Sequence, residues 1–191
     1  MFHPNYRGST RYGQTFLDAD RDDFGVNMSD VVSGIDQLVA AGVADKDRLF
    51  VYGTSYGGYM ASWLVGQTDR IRAAPVNAVT DLTMMWALSD LQSWTEREFG
   101  GRPWAVPEKM REHSPMTYVD RVRTPTRVRH ARDDRRVPDP LGQAYSRALR
   151  SEGVPAELVT SPDEGHAICR PRHREDLLRR VFDAFARYDR P

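Results

Sequence analysis

The spacing of apolar residues divides the chain into helical and strand-like segments. Over residues 29–41 the apolar side chains recur at the spacing of one helical face, and Gly42 follows where such a helix would end. The same spacing predicts further helices over residues 56–67, 81–89 and 140–151, and a last helix that carries Leu177, Val181 and Phe185.

Short runs of β-branched and other apolar residues lie between these helices and predict strands. They cover residues 48–52, 73–77, 126–130 and 156–160. We expect residues 90–125 to be irregular apart from a short helix near residues 108–113, because prolines interrupt the pattern. Strands that alternate with helices predict the α/β class, with a mostly parallel, doubly wound sheet in one domain over residues 1–191. Such sheets bind ligands at the carboxyl ends of their strands.

The charge balance and the cysteine count exclude several classes of function. The 27 basic residues equal the 27 acidic residues, whereas a nucleic-acid-binding protein usually carries a basic excess. The single cysteine, Cys169, excludes an internal disulfide. No apolar run approaches the roughly 18 residues of a membrane span, and the polar residues 1–9 do not fit a signal peptide. We therefore expect a cytoplasmic protein that binds neither nucleic acid nor membranes.

The run Gly53-Thr54-Ser55-Tyr56-Gly57-Gly58 fits the Gly-x-Ser-x-Gly pattern of a nucleophile elbow. In this elbow a strand turns sharply into a helix, and glycines on both sides of the serine leave room for the turn. The pattern by itself is weak, because a plain glycine-rich turn gives the same match. The predicted strand before it and the predicted helix after it favour the elbow, with Ser55 as nucleophile.

A serine hydroxyl needs a base to remove its proton, so the elbow predicts an acid and a histidine further along the chain. Asp134 follows the third predicted strand, and His166 follows the fourth, in the order Ser, Asp, His of hydrolases. Asp133 is a rival for the acid that spacing does not exclude. The four other histidines fit the base less well. We expect His130 to be a packed or hydrogen-bonded structural residue, His173 to lie on the surface, and His3 and His113 to fall outside the required order.

Several further motifs lie along the chain. They are Asn5-Tyr6-Arg7-Gly8-Ser9-Thr10 with Tyr12-Gly13, residues 45–49 before the elbow, Phe99-Gly100-Gly101, Ser114-Pro115 with Tyr118-Val119, Thr124-Pro125, Asp133-Asp134-Arg135-Arg136-Val137-Pro138 and Glu164-Gly165-His166. With these motifs the chain resembles, nearly end to end, the catalytic domain of the prolyl oligopeptidase family of serine peptidases. The resemblance is greatest to the branch of acylaminoacyl peptidases and dipeptidyl peptidases.

The resemblance implies an α/β-hydrolase fold and a serine peptidase mechanism. It favours Asp134 over Asp133, because the family places the acid two residues before the arginine that precedes the Val-Pro pair. It implies that Ser55 attacks a carbonyl with His166 as base, and that the Tyr56 N–H donates to the oxyanion. The implied substrates are short peptides or N-acylated peptides. We expect no metal and no organic cofactor, because the histidine and carboxylate of the predicted site already serve the triad.

Two departures from the family pattern stand out. The chain begins at what resembles an interior strand, so we expect the first strands, a His-Gly-Gly-Pro-type segment and the β-propeller to be absent. An exposed sheet edge would then favour self-association into a homo-oligomer, and catalysis would be weak. The strand over residues 126–130 carries Arg127 and Arg129 on one face, where a central parallel strand is normally apolar. That face is therefore either partly open or met by carboxylates.

Aromatic residues after the elbow are candidates for a substrate pocket. Tyr59, Trp86 and Trp94 are the side chains in question, and packing in the core is the alternative, as it is for Met84 and Met85. Two other functions compete with a peptidase. One is an esterase of small acyl esters, because the triad does not set the leaving group. The other is a catalytically silent fragment that serves as a binding or dimerisation module.

Overall fold

A computed structural model describes residues 1–21, 25–72 and 74–189, with the backbone alone for residues 74–76. Four strands form one parallel sheet in the order β1-β2-β3-β4. Their bounds are Gly53–Ser55 for β1, Ala74–Ala78 for β2, Thr126–Ala131 for β3 and Ala156–Ser161 for β4. Consecutive strands are neighbours in space and are joined through helices, as parallel strands require. The α/β class predicted from the sequence is confirmed.

Eight α-helices surround the sheet in the described part of the chain. They are α1 Gln14–Leu17, α2 Val26–Ala40, α3 Tyr56–Gln67, α4 Leu82–Leu88, α5 Gln92–Phe99, α6 Pro107–Glu112, α7 Asp139–Ser151 and α8 Pro171–Tyr188. Short 3-10 helices cover Asp18–Asp20 and Pro115–Arg121. None of the described helices is long and apolar enough to cross a membrane.

Helices cover both faces of the sheet. On one face α3 packs against β1 and β2 and α7 packs against β3 and β4, and Val65, Tyr145 and Leu149 of these helices share a buried cluster with Val128. On the other face Val181 of α8 lies over the strand residues whose side chains point away from α3 and α7, among them Arg129. The sheet is therefore doubly wound, and the loops after its strands open along one edge.

Three segments differ from the sequence-based expectation. The run of residues 48–52 makes a single bridge, between Leu49 and Ile71, and the paired strand lies later, at β1. An apolar run shows that a segment tends to be buried, but it does not show which residues meet the neighbouring strand. The short helix predicted near residues 108–113 is confirmed as α6, but the rest of residues 90–125 is not irregular, since it also holds α5 and a 3-10 helix. The sequence of α5 is mostly polar, and only Thr95 and Phe99 are buried in it, so it shows no clear helical spacing of apolar residues. The prediction for Ala73 lies outside the described residues.

The face that carries the two arginines is met in part by a carboxylate. Arg127 donates from Nε to Oε2 of Glu157 at 2.8 Å and from Nη1 to the carbonyl oxygen of Arg180. Arg129 is 6% exposed, and its Nη2 donates to Ser161 Oγ at 2.9 Å. Its Nε has no partner among the described residues, and burial lowers the pKa of this guanidinium. A charge therefore lies inside the fold with little compensation.

Candidate active site

Ser55 lies at the junction of β1 and α3, in a strained backbone conformation. Its φ is 61° and its ψ is −123°, which is unusual for a residue with a side chain. Such a conformation costs of order 1–3 kcal/mol and persists only where the surrounding structure enforces it. It turns the chain from the strand into the helix within one residue, which is the geometry of a nucleophile elbow.

Two glycines permit this turn, and only one of them is a glycine of the Gly-x-Ser-x-Gly pattern. A Cβ on Gly53 would lie 2.0 Å from the carbonyl oxygen of Gly57, and a Cβ on Gly58 would lie 2.0 Å from that of Asn77. A Cβ on Gly57 would have no described atom within 4 Å apart from its own helix backbone and chain neighbours. The close approach between α3 and β2 therefore requires Gly58, whereas Gly57 is not required by packing.

Asp134 and His166 are joined at the same edge of the sheet. Oδ2 of Asp134 lies 2.9 Å from Nδ1 of His166. Oδ1 of the same carboxylate accepts the backbone N–H groups of Arg136, at 2.8 Å, and Val137, at 2.9 Å. The Asp134 side chain is 0% exposed, whereas that of His166 is 31% exposed. Both carboxylate oxygens are thus held, and one of them fixes the imidazole ring.

Asp133, the rival for the acid, is exposed, and among the described residues the carboxylate that pairs with His166 is that of Asp134. Its backbone N–H donates to the carbonyl oxygen of Glu164 at 3.0 Å, and this bond joins the loop after β3 to the loop after β4. Ser55 is the last residue of β1 and lies at the same edge of the sheet. Among the described residues no hydrogen bond joins Ser55 Oγ to His166, so the contact between nucleophile and base stays a prediction.

Tyr56 is the first residue of α3, where backbone N–H groups have no intrahelical acceptor. Its ring lies between those of Tyr6 and Tyr59, at centroid distances of 5.9 and 5.5 Å. Its hydroxyl accepts a hydrogen bond from Nδ2 of Asn27, a fully buried residue of α2. The ring contact with Tyr6 and the hydrogen bond from Asn27 therefore hold Tyr56, the residue that follows Ser55, in place. No sequence signal had singled out Asn27.

A cavity of about 400 Å³ opens beside Tyr56. Trp94 lines it together with Tyr6, and three carboxylates, those of Asp18, Asp20 and Glu98, lie around it. Burial, and after it the charge of Asp20, raises the pKa of Glu98. Of the predicted pocket residues, Trp94 is thus the one that this cavity contains.

The prediction of Tyr59 as a pocket residue is wrong. Tyr59 is 1% exposed, and its hydroxyl donates to the carbonyl oxygen of His113 at 3.0 Å, so the ring fills the core. Trp86 donates from Nε1 to Glu96 at 3.0 Å and meets Trp104 edge-on. Met85 is 1% exposed and packs in the core, the alternative that the sequence left open.

Two further histidines take part in packing. His130 is 0% exposed, and a Cβ on Gly142 would lie 2.1 Å from its ring. The expectation that His173 lies on the surface is wrong. Its side chain is 14% exposed, and Nδ1 lies 2.8 Å from Oε1 of Glu164. The polar sequence at the start of α8 did not predict this contact, because the carboxylate comes from the preceding loop.

No group of three or more histidine, cysteine or acidic side chains able to hold a metal occurs in the part of the chain that the structure describes. The expectation that the protein uses neither a metal nor an organic cofactor stays a prediction.

Comparison with known proteins assigns the chain to a family. Its parallel sheet and strand–helix elbow define the α/β-hydrolase fold, and the solved structure of Pyrococcus horikoshii acylaminoacyl peptidase matches it with a TM-score of 0.88 at 26% identity. That match covers 96% of this chain and 31% of the peptidase. A sequence profile of the prolyl oligopeptidase family matches residues 1–189, and the chain belongs to this family.

Two relatives show how much of a family member the chain represents. It is 32% identical over 181 residues to peptidase YuxL of Bacillus subtilis, covering 93% of this chain and 28% of that protein. It is 31% identical over 195 residues to the acylamino-acid-releasing enzyme of Arabidopsis thaliana, covering 96% and 26%. The chain thus spans about a quarter to a third of the length of the relatives that it matches.

Proposed function

We propose that this chain carries the catalytic centre of a serine hydrolase that cleaves peptide or N-acyl-peptide bonds. Ser55 is the nucleophile, His166 the general base and Asp134 the acid that orients the base. One observation carries the proposal: the strained Ser55 lies at the sheet edge where Asp134 already holds His166 at 2.9 Å. Membership of the prolyl oligopeptidase family supports the same reaction class.

The proposed roles give each proton a path. Asp134 accepts from Nδ1–H of His166, so Nε2 is left unprotonated and can take the proton of Ser55 Oγ as the oxygen attacks the substrate carbonyl. The Tyr56 N–H, at the start of α3, donates to the oxyanion that forms. The imidazolium then gives its proton to the leaving amine. A water molecule, activated in the same way, releases the acyl group from Ser55.

Two observations support the proposed substrate class, the names of relatives and the cavity beside Tyr56. Relatives named acylaminoacyl peptidase and acylamino-acid-releasing enzyme support N-acylated peptides as substrates. The aromatic rings of Tyr6 and Trp94 offer an apolar wall for a substrate side chain. A cytoplasmic location, independence of cofactors and self-association remain predictions.

Covalent labelling with a fluorophosphonate probe tests the proposal, because the probe reacts only with an activated serine. The protein should be labelled at Ser55, and Ser55→Ala should lose the label while its thermal unfolding stays cooperative. Ser93→Ala, which changes an exposed serine of α5, is the matched control and should keep the label. Labelling that persists in Ser55→Ala, or a folded protein that takes no label, would show that the proposed function is wrong.

A further inference from the structure

The loop between β4 and α8 carries His166 and has one buried residue. Over residues 162–170 all side chains are exposed or partly exposed except that of Glu164. A Cβ on Gly165 would have no described atom within 4 Å apart from its chain neighbours, and Asp163 has a φ of 52°. Such a loop buries little side-chain surface that could fix its shape. Its order therefore depends on polar contacts, and those of Glu164 are its most buried ones.

The carboxylate of Glu164 accepts three hydrogen bonds from the residues that follow His166. Oε2 accepts the backbone N–H of Cys169 at 2.9 Å, and Oε1 accepts that of Arg170 at 2.9 Å. Oε1 also lies 2.8 Å from Nδ1 of His173 in the first turn of α8. The side chain thus closes residues 164–170 into a ring, and His166 is part of that ring.

The backbone of Glu164 makes a second connection, to the loop that carries Asp134. Its carbonyl oxygen accepts the N–H of Asp133 at 3.0 Å, and the carbonyl oxygen of Ser161 accepts the N–H of Arg132 at 2.9 Å. The two loops are therefore tied together one residue before Asp134 and two residues before His166. The distance between acid and base is fixed across this connection.

The charges around Glu164 favour its anionic form. The N–H of Cys169, then that of Arg170 and the contact with His173, lower the pKa of the carboxyl from its ordinary 4.5 to about 2. The carboxylate also lies at the N-terminus of α8, where the helix dipole favours negative charge and Arg170, the N-cap residue, provides no side-chain cap. Arg170 itself pairs with Asp163, and Arg174 donates to the carbonyl oxygen of Ile168.

We propose that Glu164 is a positioning residue, whose carboxylate folds residues 164–170 around itself and so holds His166 against Asp134. This inference rests on the proposed function, because it gives His166 the part of the base. Glu164 touches no reacting atom, and it acts only through the loop. His173 assists by completing the hydrogen bonds of the carboxylate.

The test compares Glu164→Gln with Glu175→Gln. This control changes an exposed glutamate of α8, the helix that follows the loop. Glutamine keeps the shape of the side chain, but its NH2 group cannot accept the N–H of Cys169 or Arg170. With a small N-acyl ester as substrate, kcat of Glu164→Gln should fall about 10- to 100-fold with little change in KM, because misplacement by about 1 Å costs a factor of this size. Glu175→Gln should keep both constants.

A second measurement does not depend on activity. Amide hydrogen exchange over residues 165–170 should become at least about tenfold faster in Glu164→Gln, while exchange in β3 and α7 stays unchanged. If Glu164→Gln does not fold, His173→Gln takes its place and should show the same two changes at smaller size. Unchanged kcat and unchanged exchange would overturn the inference. A wild-type protein that takes no fluorophosphonate label would instead overturn the proposed function, and the exchange measurement would still decide whether Glu164 orders the loop.

Discussion

At the scale of single residues, the two oxygens of Asp134 have different tasks. Oδ1 accepts the backbone N–H groups of Arg136 and Val137, and Oδ2 faces Nδ1 of His166. Asp134→Asn keeps the shape but offers only one accepting oxygen. If that oxygen stays on the two N–H groups, the NH2 group donates to Nδ1 of His166 and forces the ring proton onto Nε2. The base then cannot take a proton from Ser55, and we expect kcat/KM to fall about 10³- to 10⁴-fold.

The neighbouring carboxylate provides the control for this prediction. Asp133→Asn changes an exposed side chain and leaves its backbone N–H in place, so kcat/KM should change less than about twofold. Steady-state rates on a small N-acyl ester measure both variants. A larger loss in Asp133→Asn than in Asp134→Asn would exchange the roles of the two residues.

At the scale of elements, the contact of α3 with β2 depends on Gly58. Gly58→Ala places a methyl group 2.0 Å from the carbonyl oxygen of Asn77, and backbone on both sides cannot move apart cheaply. We expect the free energy of unfolding to fall by at least about 2 kcal/mol. Gly57→Ala, one residue earlier in the same helix, should leave stability unchanged or raise it by up to about 1 kcal/mol through helix propensity. Urea unfolding compares the two, and equal losses would contradict the assignment.

The face of β3 under α8 supports a prediction about buried charge. Arg129 is 6% exposed, and its guanidinium makes one hydrogen bond to the described residues, to Ser161, so its desolvation is poorly compensated. Arg129→Met removes the charge and keeps an apolar chain of similar length. The free energy of unfolding should rise by about 1–2 kcal/mol.

Arg127→Met on the same strand and face is the comparison for that variant. This variant loses the ion pair with Glu157, so we expect no rise in the free energy of unfolding. Urea unfolding of both variants measures the difference. A loss of stability in Arg129→Met would show that the guanidinium has a stabilising partner that these contacts do not include.

At the scale of the whole molecule, acid should lower the free energy of unfolding over two pH ranges. Burial lowers the pKa of His130 below its ordinary 6.5, so the unfolded chain binds that proton more readily, and stability falls as the pH drops below about 6.5. The pKa of Glu164 is about 2 in the folded protein against an ordinary 4.5. Its contribution is therefore complete above about pH 4.5 and is lost as the pH falls to about 2. Asp30 and Asp176, whose pKa values hydrogen bonds from Arg7 and Arg180 lower, act in the same direction.

Chemical unfolding as a function of pH measures these contributions. Between about pH 4.5 and 2 the free energy of unfolding should fall less steeply in Glu164→Gln than in the wild type, because the variant has no carboxyl to protonate there. Between about pH 6.5 and 4.5 the two curves should run parallel. Glu175→Gln should follow the wild-type slope throughout, and a parallel course of all three curves at low pH would contradict the lowered pKa of Glu164.

The sequence by itself determined the class of the fold and the motifs of the candidate site. Alternating apolar runs and helical spacings predicted β2, β3, β4, α3 and α7 within about two residues, and they predicted the presence of α8 without its bounds, because period and turn residues are local properties of the chain. The elbow around Ser55 could be predicted for the same reason, since its glycines and its flanking elements are neighbours in sequence. The order of Ser55, Asp134 and His166 was also visible in the sequence.

Only the tertiary structure decided how distant residues meet. It brought Asp134 to His166, showed that Gly58 rather than Gly57 is required by packing, and moved Tyr59 from a predicted pocket into the core. It also paired Glu164 with His173. Each of these outcomes depends on which strand or helix lies opposite, and on how far its backbone stands away. Hydrophobic patterning shows that a residue is buried but not what it is buried against.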